Sequence, residues 1–487
     1  MKWVYDLKFK TEGGIEMIDR FKARLVGCGY AQREGEDYQK TFASTIRAVT
    51  VRLFFAEVAH RDLELILIDV VKAFTHAEME DRLFIRLPRG FERDGKIGLL
   101  NQALEGTKQA ANLWQNLLSE CLMHCGFKRS AIDPNLYTMS SNSTYIIIVV
   151  WVDDLAVGYN DKPMLDTIIS KLAKRIKLKV AELNTFIGVD ITRDRKRRTI
   201  TLSQSRYISS LANKHLSESS LKSWKHMTPS ATSREETTKF MKIGEAQTEA
   251  ELRSMINKGY LTILGALMWA AVMTMPDIMF HVSHLARFMQ SPSTEAYEAV
   301  VNVLKYAFTR RDIGLTYGGE YVPPPFNLTQ TGVPEVWSDA SFGGSLVIPY
   351  GGGFIRWRNA AVVWIARKFK FVPLSTCEAE VAALIIMVKE VLFVVQVLSD
   401  MDVVFPTNTP LPCITDSQSG QQTIENPGVT KHTAHFERWL HWGRELRMKK
   451  GIIVILVSTK IMMADDKSKV VDRQKFLDCR RFQLNLD

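Results

Sequence analysis

Cysteine is scarce and dispersed in this chain. The six residues stand at 28, 121, 125, 377, 413 and 479, and only Cys121 and Cys125 are close. No second pair completes a four-ligand zinc set, so the spacing argues against a structural zinc site and for free thiols in a reducing compartment. A long uninterrupted apolar run is also lacking. The longest, Leu261 to Met275, falls short of the roughly 20 residues a membrane span needs and reads as a buried helix. The first residues, Met-Lys-Trp-Val-Tyr-Asp, have no charged-then-apolar leader layout, and no internal repeat is visible. These absences lead to the expectation of a soluble intracellular protein. Hydrophobic residues at 46% and charged residues at 24% leave little room for long disordered tracts.

Positive charge, by contrast, is plentiful. The 487 residues carry a net charge of +10, and lysine and arginine gain affinity for polyanions by releasing counterions from phosphates. That balance alone does not make a nucleic-acid binder. At about 150 residues per domain the length fits two or three domains. The polar run Thr228-Pro-Ser-Ala-Thr-Ser-Arg-Glu-Glu-Thr-Thr238 reads as an exposed loop. Tyr317 to Pro334, with Gly318-Gly319, three prolines at 323 to 325 and Gly332-Val-Pro334, is the best candidate for a domain boundary. Strands are expected at Leu65–Asp69, Tyr145–Trp151 and Leu411–Asp416. Helices are expected at Leu113–Leu122, Met164–Leu178, Leu261–Met289, Glu295–Phe308 and Cys377–Leu398. This is a mixed α/β chain with a helical middle.

Carboxylates stand where these strands end. Asp153 and Asp154 follow a β-branched run and precede Leu155-Ala-Val-Gly158, the layout of a hairpin with two acids at its turn. Taken alone that is a polar turn. Asp69 also ends an apolar run, with Phe74 one turn beyond it. Strand-end acids that meet across a sheet can hold a pair of divalent cations, the arrangement that phosphoryl transfer onto a 3′-hydroxyl requires. Hard oxygen ligands suit Mg2+.

Ordered motifs now add to this reading. Phe21-Lys-Ala-Arg-Leu-Val-Gly-Cys-Gly-Tyr-Ala-Gln32 resembles the fingers motif of copia-type reverse transcriptases, and Ile68-Asp-Val-Val-Lys-Ala-Phe74 resembles their first palm strand. Trp151-Val-Asp-Asp154 stands where that family has Tyr-Val-Asp-Asp. Phe186-Ile-Gly-Val-Asp-Ile191, Leu202-Ser-Gln-Ser-Arg-Tyr207, Met275-Pro-Asp-Ile278 and Ala286-Arg-Phe-Met289 follow in the family's order. The resemblance, to the reverse transcriptase and RNase H portion of a copia-type retrotransposon Pol polyprotein, covers nearly the whole chain. It implies a right-hand polymerase fold of fingers, palm and thumb, a helical connection, and then an RNase H-like α/β domain. The corresponding segments are 1–227, 228–320, a linker at 321–334, and 335–487. Carried over, Asp69, Asp153 and Asp154 become metal ligands, Phe74 a steric gate against a ribose 2′-hydroxyl, and Lys22 and Arg24 contacts to the incoming triphosphate. The alternative for Lys22 and Arg24 is a solvated strand face, and for Phe74, were Asp69 not beside it, a core aromatic.

A second set of acids follows the Pro-rich stretch. Trp337-Ser-Asp-Ala340 holds Asp339. Ser375-Thr-Cys-Glu-Ala-Glu380 opens a helix with Glu378 and Glu380, and Thr415-Asp-Ser-Gln418 holds Asp416. Each is ordinary alone: acids suit a helix N-terminus and Asp-Ser suits a turn. In order they resemble the Asp, Glu, Asp core of RNase H, with Asp465 as the last acid. Glu380-Val-Ala-Ala-Leu384 continues as the family's helix does, so the resemblance favours Glu380 over Glu378. The resemblance implies two Mg2+ per active site, Mn2+ being an alternative, with water as the nucleophile in the second. It also implies deoxynucleoside triphosphates, a DNA primer, an RNA template and the RNA/DNA hybrid as partners. The expected setting is the cytoplasm, with virus-like particles and the nucleus as further compartments, and no membrane partner. The oligomeric state stays open.

Departures from the family pattern matter as well. Trp151 replaces a tyrosine, removing a hydroxyl near the primer terminus. Glu105, Thr107 and Ala111 stand where tyrosine, leucine and proline are expected, and a carboxylate at 105 would repel a nearby phosphate. The segment from Phe342 to Gly353 replaces the family's acid-rich hairpin. Protease, zinc-knuckle and integrase signatures are absent, and the chain starts inside what would be the fingers, so a truncated genomic copy or a shortened reading frame is expected. His432 and His435 read as structural or RNA-contacting, since no cysteine lies at zinc spacing. The basic run Arg193 to Arg198 reads as a solvated turn or a template contact. Two rivals stay open: a decayed copy that keeps the fold and nucleic-acid binding without catalysis, and a basic α/β scaffold whose acids are only turn residues.

Overall fold

The computed structural model describes residues 1–12, 15–223, 227–343, 348–426, 437–449 and 451–486. The chain forms two compact units, Met1–Ile46 with Glu64–Leu183, and Arg47–Leu63 with Asn184–Asp487. The expected segment 1–227 is thus distributed over both.

The first unit is built on a six-stranded antiparallel sheet. Its strands run in the order Leu178–Glu182, Glu64–Val70, Asp154–Tyr159, Thr144–Trp151, Leu136–Ser141 and Lys128–Arg129. Helices Ala110–His124 and Lys162–Leu172 contribute Trp114, Leu118, Leu122, Leu165 and Ile168 to a core shared with Ile68, Ile146, Ile148, Leu155 and Val157. Ile147 and Val149 are fully buried too. Burial on both strand faces is why the 145–151 run is unbroken instead of alternating. The second helix begins where the Asp161 carboxylate accepts the Met164 N–H at 3.0 Å. It ends at Leu172, short of the expected Leu178, because the chain re-enters the sheet there. A separate hairpin pairs Lys2–Glu12 with Ile15–Val26. Cys121 and Cys125 are free thiols, as are the other four.

The second unit contains a five-stranded mixed sheet in the order Ala360–Lys368, Tyr350–Trp357, Glu335–Ser341, Leu411–Thr415 and Ile452–Leu456. The first three strands are antiparallel and the last three parallel. Of the Phe342 to Gly353 segment, Tyr350 to Gly353 pair in register with Ser341 to Ser338. Its glycines have a physical reason: a Cβ at Gly353 would lie 1.9 Å from the Trp337 carbonyl oxygen, and one at Gly352 would lie 1.9 Å from that of Ile365. Gly353→Ala is therefore expected to destabilise this unit by about 3 kcal/mol, read as a lowered thermal midpoint.

Helix Thr376–Asp400 covers this sheet. Its apolar window has a mean hydropathy of 2.4 with 67% of it buried. By length and composition it is long enough to cross a membrane, although Lys389 and Glu390 interrupt its apolar run. Helix Ala48–His60 also belongs to this unit. Its buried Glu57 accepts from the Trp357 indole at 2.8 Å and from Arg358 at 3.1 Å.

Two expectations are corrected by the second unit. Leu261 to Met289 is not one helix. Helix Tyr260–Met273 stops before Pro276, which lacks an N–H and opens a short 3-10 turn, and Met279–Leu285 follows. The 228–238 run is only partly loop. Thr228 is buried, and Ser233 accepts the Glu236 N–H at 3.2 Å to start helix Arg234–Met241. The Gly/Pro-rich stretch lies within this unit and is tied to it: the Asn359 amide donates to the carbonyls of Gly318 and Glu320 at 2.9 and 2.7 Å. The basic run forms the turn between strands Val189–Asp194 and Thr199–Ser203, with Arg193 paired to Asp62 at 2.6 Å.

His281 and His284 sit in the helical core, where burial above all pushes them down to about 3 and about 4. Both are neutral in the fold but titrate near 6.5 when unfolded. Their stability contribution is therefore complete above pH 6.5 and is lost as pH falls toward 4. At pH 5 the loss is roughly 2 kcal/mol per histidine. Urea midpoints measured from pH 7 to 4.5 should fall less steeply in His284→Phe, whose ring keeps the stacking on Phe280.

Candidate active sites

The first unit brings its three acids to one end of the central strands. Asp69 and Asp154 lie directly opposite each other in the antiparallel pair, and the Val70 N–H donates to the Asp153 carbonyl at 2.9 Å. The turn that carries them is strained, since Val152, a β-branched residue, has a φ of 56°. The Trp114 indole donates to the Val152 carbonyl at 2.7 Å and holds that conformation. Burial raises the Asp153 carboxyl above its usual range, Asp69 and Glu105 add to the shift, and Arg24 opposes it. Burial, then Asp153 and Asp69, pushes Asp154 up to about 6. Clustered carboxylates with raised proton affinity and only oxygen donors fit a hard divalent cation.

Phe74 lies in the 3-10 turn Ala73–His76, after Lys72 in the left-handed region, and packs against Ala103, Ala110 and Leu113. Trp151 pairs with Asp154 across the hairpin. Lys22 and Arg24 stand two residues apart on strand Ile15–Val26 and so share a face. The end of that strand is docked by backbone contacts: the Gly27 N–H donates to the Glu105 carbonyl at 2.7 Å and the Gly29 N–H to that of Gly106 at 3.0 Å. A Cβ at Gly29 would lie 2.3 Å from the Gly106 oxygen, so only glycine permits this approach. Gln32 accepts from the Lys108 N–H at 2.8 Å and donates to Gln109 at 3.0 Å. The two motifs around residues 21–32 and 104–111 are therefore one structural feature. Glu105, the most conspicuous departure, is 3.9 Å from Arg24.

In the second unit, Asp339 is buried on the central strand, Glu380 is in the second turn of helix Thr376–Asp400, and Asp416 directly follows strand Leu411–Thr415. Each places a carboxylate oxygen within 4.8 Å of the other two. Burial first, then its acidic neighbours, raises Asp339 to about 6, against the pull of Lys469. Burial first, then Asp339 and Asp416, holds Glu380 well above the carboxylate range. Its Oε2 is buried with no hydrogen-bond partner among the described residues. An orphaned carboxylate oxygen among like charges fits a missing cation, and the all-oxygen donor set fits Mg2+ or Mn2+.

Glu378 has another task. Its carboxylate accepts the Leu374 N–H at 2.6 Å while Ser375 accepts the Glu378 N–H at 3.1 Å, a capping box. The Ser375-x-x-Glu378 spacing is the sequence signal that separates it from Glu380. Asp465 lies outside the trio, paired with Lys469 at 2.6 Å and Lys475 at 3.0 Å. The reading of the sequence had not singled out these lysines. Lys469 is four residues from Asp465, a spacing that could have been noticed, whereas Lys475 has no local signal. His432 and His435 lie outside the described residues.

A family model described as reverse transcriptase (RNA-dependent DNA polymerase) matches residues 1–223. The Retrovirus-related Pol polyprotein from transposon TNT 1-94 of Nicotiana tabacum is 29% identical over 98% of this chain and 35% of that protein. That from transposon RE1 of Arabidopsis thaliana is 26% identical over 98% of this chain and 31% of that protein. A transposon Ty5-1 protein of Saccharomyces cerevisiae is 30% identical over 64% of this chain and 96% of its own length. The chain thus spans about a third of the two plant polyproteins. Among solved structures, a foamy viral protease-reverse transcriptase in complex with double-stranded DNA is similar at TM-score 0.48 and 12% identity, over 94% of this chain and 67% of that one.

Proposed function

The chain belongs to the reverse-transcriptase family of copia-type retrotransposon Pol polyproteins, and from that premise we propose that it is an RNA-directed DNA polymerase in its first unit and a ribonuclease H in its second. The observation that carries this reading is the pair of separate carboxylate clusters, one at strand ends and one shared by a strand, a helix and a strand end, each containing carboxyls of raised proton affinity. Asp69, Asp153 and Asp154 would hold divalent cations in the first, and Asp339, Glu380 and Asp416 in the second. When bound, such ions stabilise charge on attacking and leaving oxygens.

The protein's own residues do the rest. Lys22 and Arg24 offset charge on a triphosphate, with Glu105 competing for Arg24. Phe74, held by apolar neighbours, walls off a ribose 2′-hydroxyl. In the second unit selectivity for RNA would rest on contacts to 2′-hydroxyls of the cut strand. The substrates are deoxynucleoside triphosphates, a primer, an RNA or DNA template, and the hybrid. The setting is cytoplasmic particles with access to the nucleus.

The test is extension of an oligo(dT) primer on poly(rA) with labelled dTTP and Mg2+. Extension that stops on adding chelator supports the reading. Extension absent from a well-folded chain would favour the second reading, a decayed copy that binds nucleic acid without catalysis. The proximity of Glu105 to Arg24 is the observation on that side.

A further inference from the structure

The surroundings of Asp465 differ from those of the other three acids in the second unit. Both of its oxygens lie against ammonium groups: Oδ1 is 2.6 Å from Lys469, an ion pair without hydrogen-bond geometry, and Oδ2 is 3.0 Å from Lys475. Lys475 is itself fixed, donating to the carbonyls of Thr459 and Lys460 at 2.8 and 3.0 Å. Lys469 reaches further, to 3.4 Å from the Asp339 carboxylate, which also accepts from the Ser468 hydroxyl. A cation thus already spans Asp339 and Asp465. Among the described residues the trio Asp339, Glu380 and Asp416 contains a buried Glu380 oxygen without a hydrogen-bond partner, and Asp465 is not part of that trio.

Charge balance leads to the same place. With a cation bound and its ligands deprotonated, the carboxylates at 339, 380, 416 and 465 would carry four negative charges, and Lys469 and Lys475 would cancel two of them. The remainder matches one divalent ion, not two. Resting on the hydrolytic reading above, we propose that this centre takes a single divalent cation at Asp339, Glu380 and Asp416, and that the Lys469 ammonium holds the place of a second between Asp339 and Asp465. Lys475 positions Asp465 for this pairing. Lys469 keeps its side chain 41% exposed, so it also presents its charge to solvent, where a phosphate of the cut strand would arrive.

The experiment counts ions. The full chain carrying Asp153→Asn and Asp154→Asn, which silences the other cluster, is titrated with Mn2+ alone by calorimetry and by electron paramagnetic resonance. The expected result is one Mn2+ per chain with an uncoupled spectrum. Lys469→Met and Lys469→Gln, each checked for native circular dichroism, should then bind two, with the spin coupling of ions about 4 Å apart. Lys469→Arg, which keeps the charge, should still bind one. Two ions in the parent, or one ion in both the parent and the neutral variants, would overturn the proposal while hybrid cleavage stands. No bound Mn2+ together with uncut hybrid would sink the hydrolytic reading itself, and this proposal with it.

Discussion

Asp153→Asn will abolish primer extension and leave hybrid cleavage at the parent rate, while Glu380→Gln will do the reverse. Each cluster lies within its own compact unit, so removing a ligand from one does not touch the other. The expected fall in each affected activity is about 10³-fold or more, because stabilisation by a bound ion is worth several kcal/mol. The two variants carry a second signature. Without metal, each removes a carboxylate whose ionisation burial and neighbouring acids oppose. Metal-free thermal midpoints should therefore equal or exceed that of the parent. With Mg2+ the parent gains stability by mass action, and each variant loses its own share of that gain. A Glu380→Gln chain that neither extends primers nor cuts hybrids, yet folds, would show that the clusters are not independent.

Arg356→Met will cost the second unit about 3–5 kcal/mol in urea unfolding, as expected when one partner of a buried ion pair is removed. Arg356 is 2% exposed. It donates to the Glu335 carboxylate at 3.1 Å, to the Asn359 carbonyl at 3.0 Å and to the Val322 carbonyl at 2.7 Å. Methionine fills most of the space over the Phe482 ring, where the guanidinium now lies, so cavity formation is a small part of the loss. The rest comes from Glu335, buried and left with only the Tyr321 hydroxyl and the Trp337 indole as donors. If so, Glu335→Leu on top of Arg356→Met will recover a large part of the stability, since replacing both members of a buried pair is often neutral. An equally damaging double variant would assign the cost to the bonds that Arg356 makes to Val322 and Asn359.

The bonds from Arg356 also bear on the Gly/Pro-rich stretch. Its breakers do exclude helix and strand over most of 319–334. What composition cannot reveal is that a buried arginine and Asn359 bind its backbone to the strands that follow. Helix limits failed for a similar reason. Apolar periodicity runs through Pro276 and beyond Leu172, but a missing N–H ends one segment and sheet pairing claims the other. The helix expected at 377–398 runs from 376 to 400 and is apolar because it covers a sheet.

By itself the sequence determined the mixed α/β character, the strand-end acids and the order of motifs. These depend on local chemistry: β-branched runs that must be buried, and carboxylates that interrupt them. It also separated Glu380 from Glu378, through the family resemblance and, as it turns out, through a cap. Only the tertiary structure decided that Asp69 faces Asp154, because strand register is set by partners far apart in sequence. Only it decided that the 21–32 and 104–111 motifs meet through glycine backbones. The same holds for Asp465, whose surroundings depend on Lys475 from a separate helix and on Asp339 from a strand more than a hundred residues away. Local chemistry placed the acids, while long-range packing chose the cations that face them.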